Sequence, residues 1–178
     1  GVSFKKLDQL VILNYEDSET YANYSVGLTQ VPFIESIFDS ITSVFFPRGL
    51  DLLKDNKIPE FLELWNRTII NLSFIGSGIF FLLQLISSDF ITLLFTDAYT
   101  DSVIVFQVAA LLLLSKIFMY GNILKSKGLT NLIFISNLIS FIISIPLMFL
   151  LVNLYGMVGA AFAMVSVHGI NAFLQLYL

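Results

Sequence analysis

Five apolar segments, each long enough to cross a lipid bilayer as one helix, dominate this sequence. A membrane-spanning helix needs about 20 predominantly apolar residues, at ~1.5 Å of rise per residue, because the bilayer core offers no partner for unpaired backbone groups. We therefore expect an all-α, polytopic membrane helix bundle with five full transmembrane helices and a partial N-terminal one. The full segments are residues 24–46, 69–86, 102–124, 132–154 and 157–178, and the partial one is residues 4–15.

The composition agrees with a membrane protein and excludes several kinds of site. Hydrophobic residues make up 57% of the chain, and the mean hydropathy of +0.87 is well above that of soluble domains. The net charge of −4 argues against a nucleic-acid partner, which needs a basic surface. The chain has no cysteine for a disulfide, a thiolate nucleophile or a zinc cluster, and the lone His168 adds little capacity for a metal. Because it opens with Gly1 rather than methionine, we expect a fragment of a longer protein.

Lysine and arginine outside the spans are confined to alternate connections between them. Cytoplasmic loops of membrane proteins retain an excess of these bases. The other connections, around residues 16–19, 89–101 and 153–156, contain none. The first full span is therefore predicted to run from outside to inside, and the later spans to alternate. The bases of the inward connections are Arg48, Lys54, Lys57, Arg67, Lys125 and Lys127.

Two connections are long enough to contain structure of their own. In residues 49–68, Pro59 suits the first turn of a helix, and we expect a short interfacial helix on the inner leaflet. Residues 87–99 are predicted to form its outer counterpart, and the alternative for both stretches is a packed connector.

Proline and small residues mark special points within the spans. Pro32 and Pro146 are expected to break helical hydrogen bonding in the middle of the membrane, as hinged or cavity-lining helices do. The run "GMVGAAFAMV" sets Gly156 four residues from Ala160, the spacing that lets two helices approach closely.

The stretch "PFIESIFDS", residues 32–40, places two carboxylates inside a predicted span. Glu35 would lie about 16 Å from either end of that span, near the bilayer midplane, with Asp39 one turn further in. Charges at this depth cost at least ~2.5 to 3.5 kcal/mol each, so both side chains are expected to face protein or water. They share a helical stripe with three serines, Ser36, Ser40 and Ser43.

Lys116 is the only base within a full span, and it is the expected counter-charge. One interpretation is a structural ion pair with Glu35 or Asp39. The other is a cavity site, in which Lys116 meets an anionic group of a substrate while a carboxylate binds a proton or a sodium ion.

Catalytic motifs are missing from the sequence. There is no HExxH, GxSxG or Walker sequence, and no soluble part large enough for a nucleotide. We expect no enzyme, no catalytic residue, no metal site and no cofactor apart from a coupling proton or sodium ion. A polytopic bundle with internal charges and bases on inward loops predicts a transporter.

Five local motifs resemble, in order, the second lobe of polysaccharide-biosynthesis flippases, the Wzx-type O-antigen and exopolysaccharide translocases of the multidrug/oligosaccharidyl-lipid/polysaccharide exporter superfamily. The motifs are "LDQLVILNYEDSETYANYSVG", "SVFFPRGLDLL", "ITLLFTDAYTDS", "GNILKSKGLTN" and "LVNLYGMVGAAFAMV". The resemblance implies that residues 1–178 are a C-terminal lobe that moves undecaprenyl-pyrophosphate-linked oligosaccharide from the inner to the outer leaflet by alternating access. It also implies a bacterial cytoplasmic membrane, and the N-terminal lobe of the same protein as partner.

The resemblance assigns positions residue by residue. Asp8 takes the acidic position of the first motif and Arg48 the arginine of the second. Gln9 stands where the family usually has arginine, and Thr96 stands where it has glycine. The expected substrate or cavity residues are Asp8, Gln9, Glu35, Asp39 and Lys116, with Glu35 and Asp39 as candidates for ion coupling.

Other functions stay open at this point. A peptidoglycan-precursor flippase and a multidrug exporter belong to the same superfamily. A membrane polysaccharide polymerase or ligase is the alternative from a different class, although the outward connections here are short and free of bases. A structural membrane subunit is a third possibility.

Overall fold

The computed structural model describes residues 7–117, 124–125 and 127–177, and it contains no strand within those residues. The all-α prediction is confirmed for this part of the chain. One short 3-10 turn, Asp97–Tyr99, connects the fourth helix to the fifth. The helices whose full range is described are α1 (Leu7–Tyr15), α2 (Ser18–Gly27), α3 (Pro32–Lys54), α4 (Ile58–Phe95), α5 (Ser102–Lys116) and α6 (Thr130–Tyr177).

Among the described residues, two helices, α4 and α6, are long and apolar enough to cross a membrane, so the five predicted full spans are not confirmed. In α4 the charge-free stretch 68–88 is about 32 Å long, which matches the ~30 Å hydrocarbon core of a bilayer. The helix α5 is equally apolar but has 15 residues. Most of the remainder of the predicted span there, residues 118–123, lies outside the described residues, as do residues 4–6 of the partial helix.

The prediction that the first full span is one helix is wrong. The helix α2 ends at Gly27 and α3 begins at Pro32, with a break at residues 28–31. Proline lacks an N–H group and has a φ fixed near the helical value, so it fits the first turn of a helix better than the interior. Glu35 therefore lies in the first turn of α3. Pro146, by contrast, lies inside α6.

The two predicted interfacial helices are not separate elements. Both belong to α4, which runs unbroken for 38 residues from Ile58 to Phe95. Pro59 occupies the first turn, as predicted. No glycine or proline interrupts either junction, so nothing in the backbone ends the helix at the boundary of the apolar stretch.

The helix α6 folds back on itself at Gly156, whose φ of 56° and ψ of −139° separate it into two arms. Asn171 of the second arm donates its amide to the side-chain oxygen of Asn137 in the first arm at 3.0 Å, so the arms lie side by side. A Cβ added at Gly159 would collide with the carbonyl of Leu151. This close approach is what the small-residue spacing predicts.

Contacts at one end of the bundle bring together the connections that contain no lysine or arginine. Glu16 lies against Gly156, and Ser102 at the start of α5 donates to Asn23 of α2. Asp17 caps α2 by accepting the Thr20 N–H at 2.8 Å. This hydrogen bond holds the pKa of the Asp17 carboxyl below its usual range.

Two buried clusters form the core of the described part of the chain, and α5 belongs to both. One joins α3, α4 and α5 around Phe38, Leu72 and Phe106. The other joins α1, α2, α5 and α6 around Tyr24 and Ala160. The helix α5 is therefore the central element against which the two halves of the bundle pack.

Thr96, which follows the last residue of α4, has an unusual backbone conformation. Its φ of 77° and ψ of 168° lie in a region that only glycine adopts without strain. The motif that this stretch resembles has glycine at this position. The threonine side chain is exposed, so no burial compensates for the strain.

Replacing Thr96 with glycine is expected to stabilise the protein. Strain of this kind costs about 1 to 3 kcal/mol, and the greater freedom of glycine in the unfolded chain offsets about 0.4 to 1 kcal/mol of the gain. Thermal unfolding in detergent should show a higher Tm for Thr96→Gly. The matched control Thr92→Gly, inside α4, should lower the Tm. A lower Tm for both variants would contradict the strain.

Candidate functional site

Glu35 and Lys116 form an ion pair that joins two helices. The Lys116 Nζ donates to Glu35 Oε1 at 2.8 Å, and the lysine and glutamate side chains are 42% and 38% exposed. Glu35 lies in the first turn of α3, and Lys116 is the last residue of α5. A helix carries partial positive charge at its N-terminus and partial negative charge at its C-terminus. Each side chain therefore lies at the helix end that favours its charge.

A glycine of α4 allows α3 and α5 to meet near this ion pair. A Cβ built on Gly76 would lie 3.3 Å from Phe38 of α3 and 3.3 Å from Ile117, which follows α5. Both apolar side chains are buried. The contact of three helices at Gly76 thus holds Glu35 and Lys116 within reach of each other.

The helix α3 has one buried apolar face and one exposed polar face. Ile34, Phe38 and Phe45 are buried against α4 and α5. Since those side chains fix the rotation of α3, its polar residues point away from the core. We call this surface the α3 polar face, and its members are Glu35, Ser36, Asp39, Ser40 and Ser43, of which all but the half-buried Glu35 are exposed.

The serines of the α3 polar face donate to their own helix. Ser40 donates to the Ser36 carbonyl at 2.7 Å, and Ser43 donates to the Ser40 carbonyl at 2.8 Å. Such bonds satisfy the hydroxyl donor and leave the oxygen free to accept. Asp39 forms no salt bridge with a described residue. The face therefore offers acceptors and negative charge, with Lys116 as its cation.

Asp8 lies in a different part of the bundle from this ion pair. Its side chain is 4% exposed and accepts the Tyr24 hydroxyl at 2.7 Å. Tyr24 belongs to the cluster of α1, α2, α5 and α6. Among the described residues, the second carboxylate oxygen of Asp8 has no hydrogen-bond partner. Gln9 follows it and is half-buried. Of the five predicted site residues, the structure brings Glu35 and Lys116 together, with Asp39 on the same face as Glu35.

Sequence reasoning did not identify the partners of the buried polar residues. Tyr24 is fully buried and donates its hydroxyl to Asp8. Gln107 donates to Ser87 at 2.7 Å and its carbonyl accepts from Gln84, which ties α4 to α5. Which polar side chains of different helices pair with each other depends on tertiary contacts, which the sequence pattern does not show.

No cluster of three or more metal-ligating acids or histidines occurs within the described ranges. Comparisons with protein-family models, curated proteins and solved structures find no match to this chain. We therefore infer a function from the side chains of α3 and α5 and their contacts.

Reversing the ion pair is expected to restore only part of its stabilising effect. Glu35→Lys places two lysines side by side and should lower the Tm. The double variant Glu35→Lys/Lys116→Glu regains the attraction, but each charge then opposes a helix dipole, at about 0.3 to 1 kcal/mol per end. Its Tm in detergent should therefore fall between those of the wild type and the single variant.

Asp39→Asn is the control for this series, because Asp39 is exposed on the same face. Its free energy of unfolding should change by no more than about 0.5 kcal/mol, so its Tm should stay close to that of the wild type. A double variant as stable as the wild type would show that the helix ends contribute nothing. A double variant no better than Glu35→Lys would show that the two charges do not interact.

Proposed function

We propose that this chain is a membrane-embedded lobe of a flippase that moves undecaprenyl-pyrophosphate-linked oligosaccharide from the inner to the outer leaflet. The observation that carries the proposal is the α3 polar face with its Glu35–Lys116 ion pair, on a helix bundle that exposes many large apolar side chains. The proposed location is the bacterial cytoplasmic membrane, with the basic connections on the cytoplasmic side.

Exposed apolar side chains support the membrane location. On α4, Phe74, Leu85 and Leu93 are 85%, 82% and 84% exposed, and Phe134 on α6 is 68% exposed. Water-soluble proteins rarely present so extensive an apolar surface. Both helices are also long and apolar enough to cross a membrane.

The break between α2 and α3 supports a water-filled cleft beside the α3 polar face. At residues 28–31 the helical hydrogen-bond ladder is interrupted. Within a membrane, free backbone groups are tolerated only where protein covers them or where they line an aqueous cavity. Transporters place such discontinuous helices at their binding sites. A carboxylate and an ammonium group beside the break fit that arrangement.

The ion pair allows a substrate and an ion to replace each other's contacts with the charged groups of this cleft. Lys116 is a compact cation that an anionic pyrophosphate can attract away from Glu35. Glu35, once released from Lys116, is a carboxylate that can bind a proton or a sodium ion. Substrate binding and ion binding are thereby linked through one lysine.

The identity of the substrate follows from the motif resemblance. The backbone of Thr96 supports that resemblance, because a conformation favoured by glycine occurs at the position where the matching motif has glycine. The N-terminal lobe of the same protein would supply the opposite wall of the cleft.

Transport should depend on both members of the ion pair. Lys116→Ala and Glu35→Gln are each expected to lower export of the glycan by about ten-fold or more in cells that depend on this protein, because each variant removes the attraction between the two charges. The amount of protein in isolated membranes should not change. Export is measured by surface glycan, normalised to that amount.

Lys57→Ala is the matched control for the loss of a lysine. Lys57 forms a more exposed pair with Asp55 at 3.5 Å, in the turn between α3 and α4. This variant should export glycan within about two-fold of the wild type. Normal export by Lys116→Ala would remove the ion pair from the mechanism and overturn the proposal.

A further inference from the structure

A continuous apolar groove runs between α3 and α4 on the outside of the bundle. Its first part, of about 380 Å³, is lined by residues that include Arg48, Val44 and Leu64. Its second part, of about 410 Å³, extends to Phe74. Both parts share Ile41 and Thr68, so they form one furrow. We call this surface the α3–α4 groove.

Among the described residues, Arg48 is the only charged one that lines the α3–α4 groove. Its side chain is exposed and forms no salt bridge with any residue in the described part of the chain. A guanidinium group presents five N–H donors in a planar fork that suits a phosphate. The remaining lining is aliphatic or aromatic apart from uncharged Ser40, Thr68 and Asn71.

The dimensions of the groove fit one leaflet of a bilayer. From Leu64 to Ile75 the groove follows α4 for about 16 Å, close to half of a ~30 Å hydrocarbon core. The charge-free stretch of α4 begins just after Arg67. Arg48, which lines the groove beside Leu64, therefore lies at the level expected for headgroups, and the groove continues from there toward the bilayer centre.

We propose that the α3–α4 groove binds one anionic phospholipid of the inner leaflet, with its phosphodiester on Arg48 and an acyl chain along the furrow toward Phe74. The negative charge of the phosphodiester complements Arg48, and the apolar lining of the furrow suits an acyl chain. The basic connections place this end of the bundle on the cytoplasmic side, where anionic lipids attract arginine. The proposal requires a membrane location but does not depend on the transported substrate.

The test is native mass spectrometry of the full-length protein extracted from vesicles of phosphatidylglycerol and phosphatidylcholine in equal amounts. The wild type should retain one phosphatidylglycerol in preference to phosphatidylcholine. Arg48→Ala should reduce that retention by about five-fold. Val44→Trp, which fills the furrow without changing a charge, should reduce retention of both lipids. Val44 is 69% exposed, so the larger side chain does not disturb the core.

Arg67→Ala is the matched control, because Arg67 is an exposed arginine of α4 that does not line the groove. It should retain phosphatidylglycerol within about two-fold of the wild type. Three results would overturn the proposal. They are equal losses in Arg48→Ala and Arg67→Ala, equal retention of the two lipids by the wild type, and no retained lipid, which would indicate that protein covers the groove.

Discussion

The ion pair between Glu35 and Lys116 joins the start of one helix to the end of another, and the arrangement of the α3 polar face depends on the packing that holds this pair. Phe38, Gly76 and Ile117 bring three helices into contact beside it. The buried residues of α3 fix the rotation of that helix, so its carboxylates and serines point away from the core. A change in this packing would move the acids relative to the lysine and would turn charge toward lipid, where it is costly.

The helix break before α3 and the ion pair form one structural unit. A continuous helix through residues 28–31 would place Glu35 in a helix interior, where no dipole favours its charge. The break creates a helix N-terminus at the place where the carboxylate lies. A ligand that competes for Lys116 changes the balance of charge at two helix ends at once, and this is the kind of local change that can bias a switch between two conformations.

The sequence predicted the all-α fold, the two arms of α6 that meet at Gly156 and the meeting of Lys116 with a carboxylate. It did not predict where helices stop. At the break before α3, the flanking residues Leu28 and Val31 are apolar, so the hydropathy pattern continues through it. In α4, charged residues mark the ends of the apolar stretch, but the helix continues beyond them. The burial of Asp8 against Tyr24 also escaped prediction. Those residues are 16 positions apart, and only the packing of α1 on α2 brings them together.

The most direct test of this account is the water accessibility of the α3 polar face in the membrane. The chain has no native cysteine, so single cysteines at Ser36, Asp39 and Ser43 report their positions without background. Phe74, an 85% exposed residue of α4, is the lipid-facing reference. A membrane-impermeant maleimide applied to both sides of the membrane should label the three α3 positions and leave Phe74→Cys unlabelled. Labelling of Phe74→Cys with none on α3 would show that the polar face is not wetted, and would contradict the account.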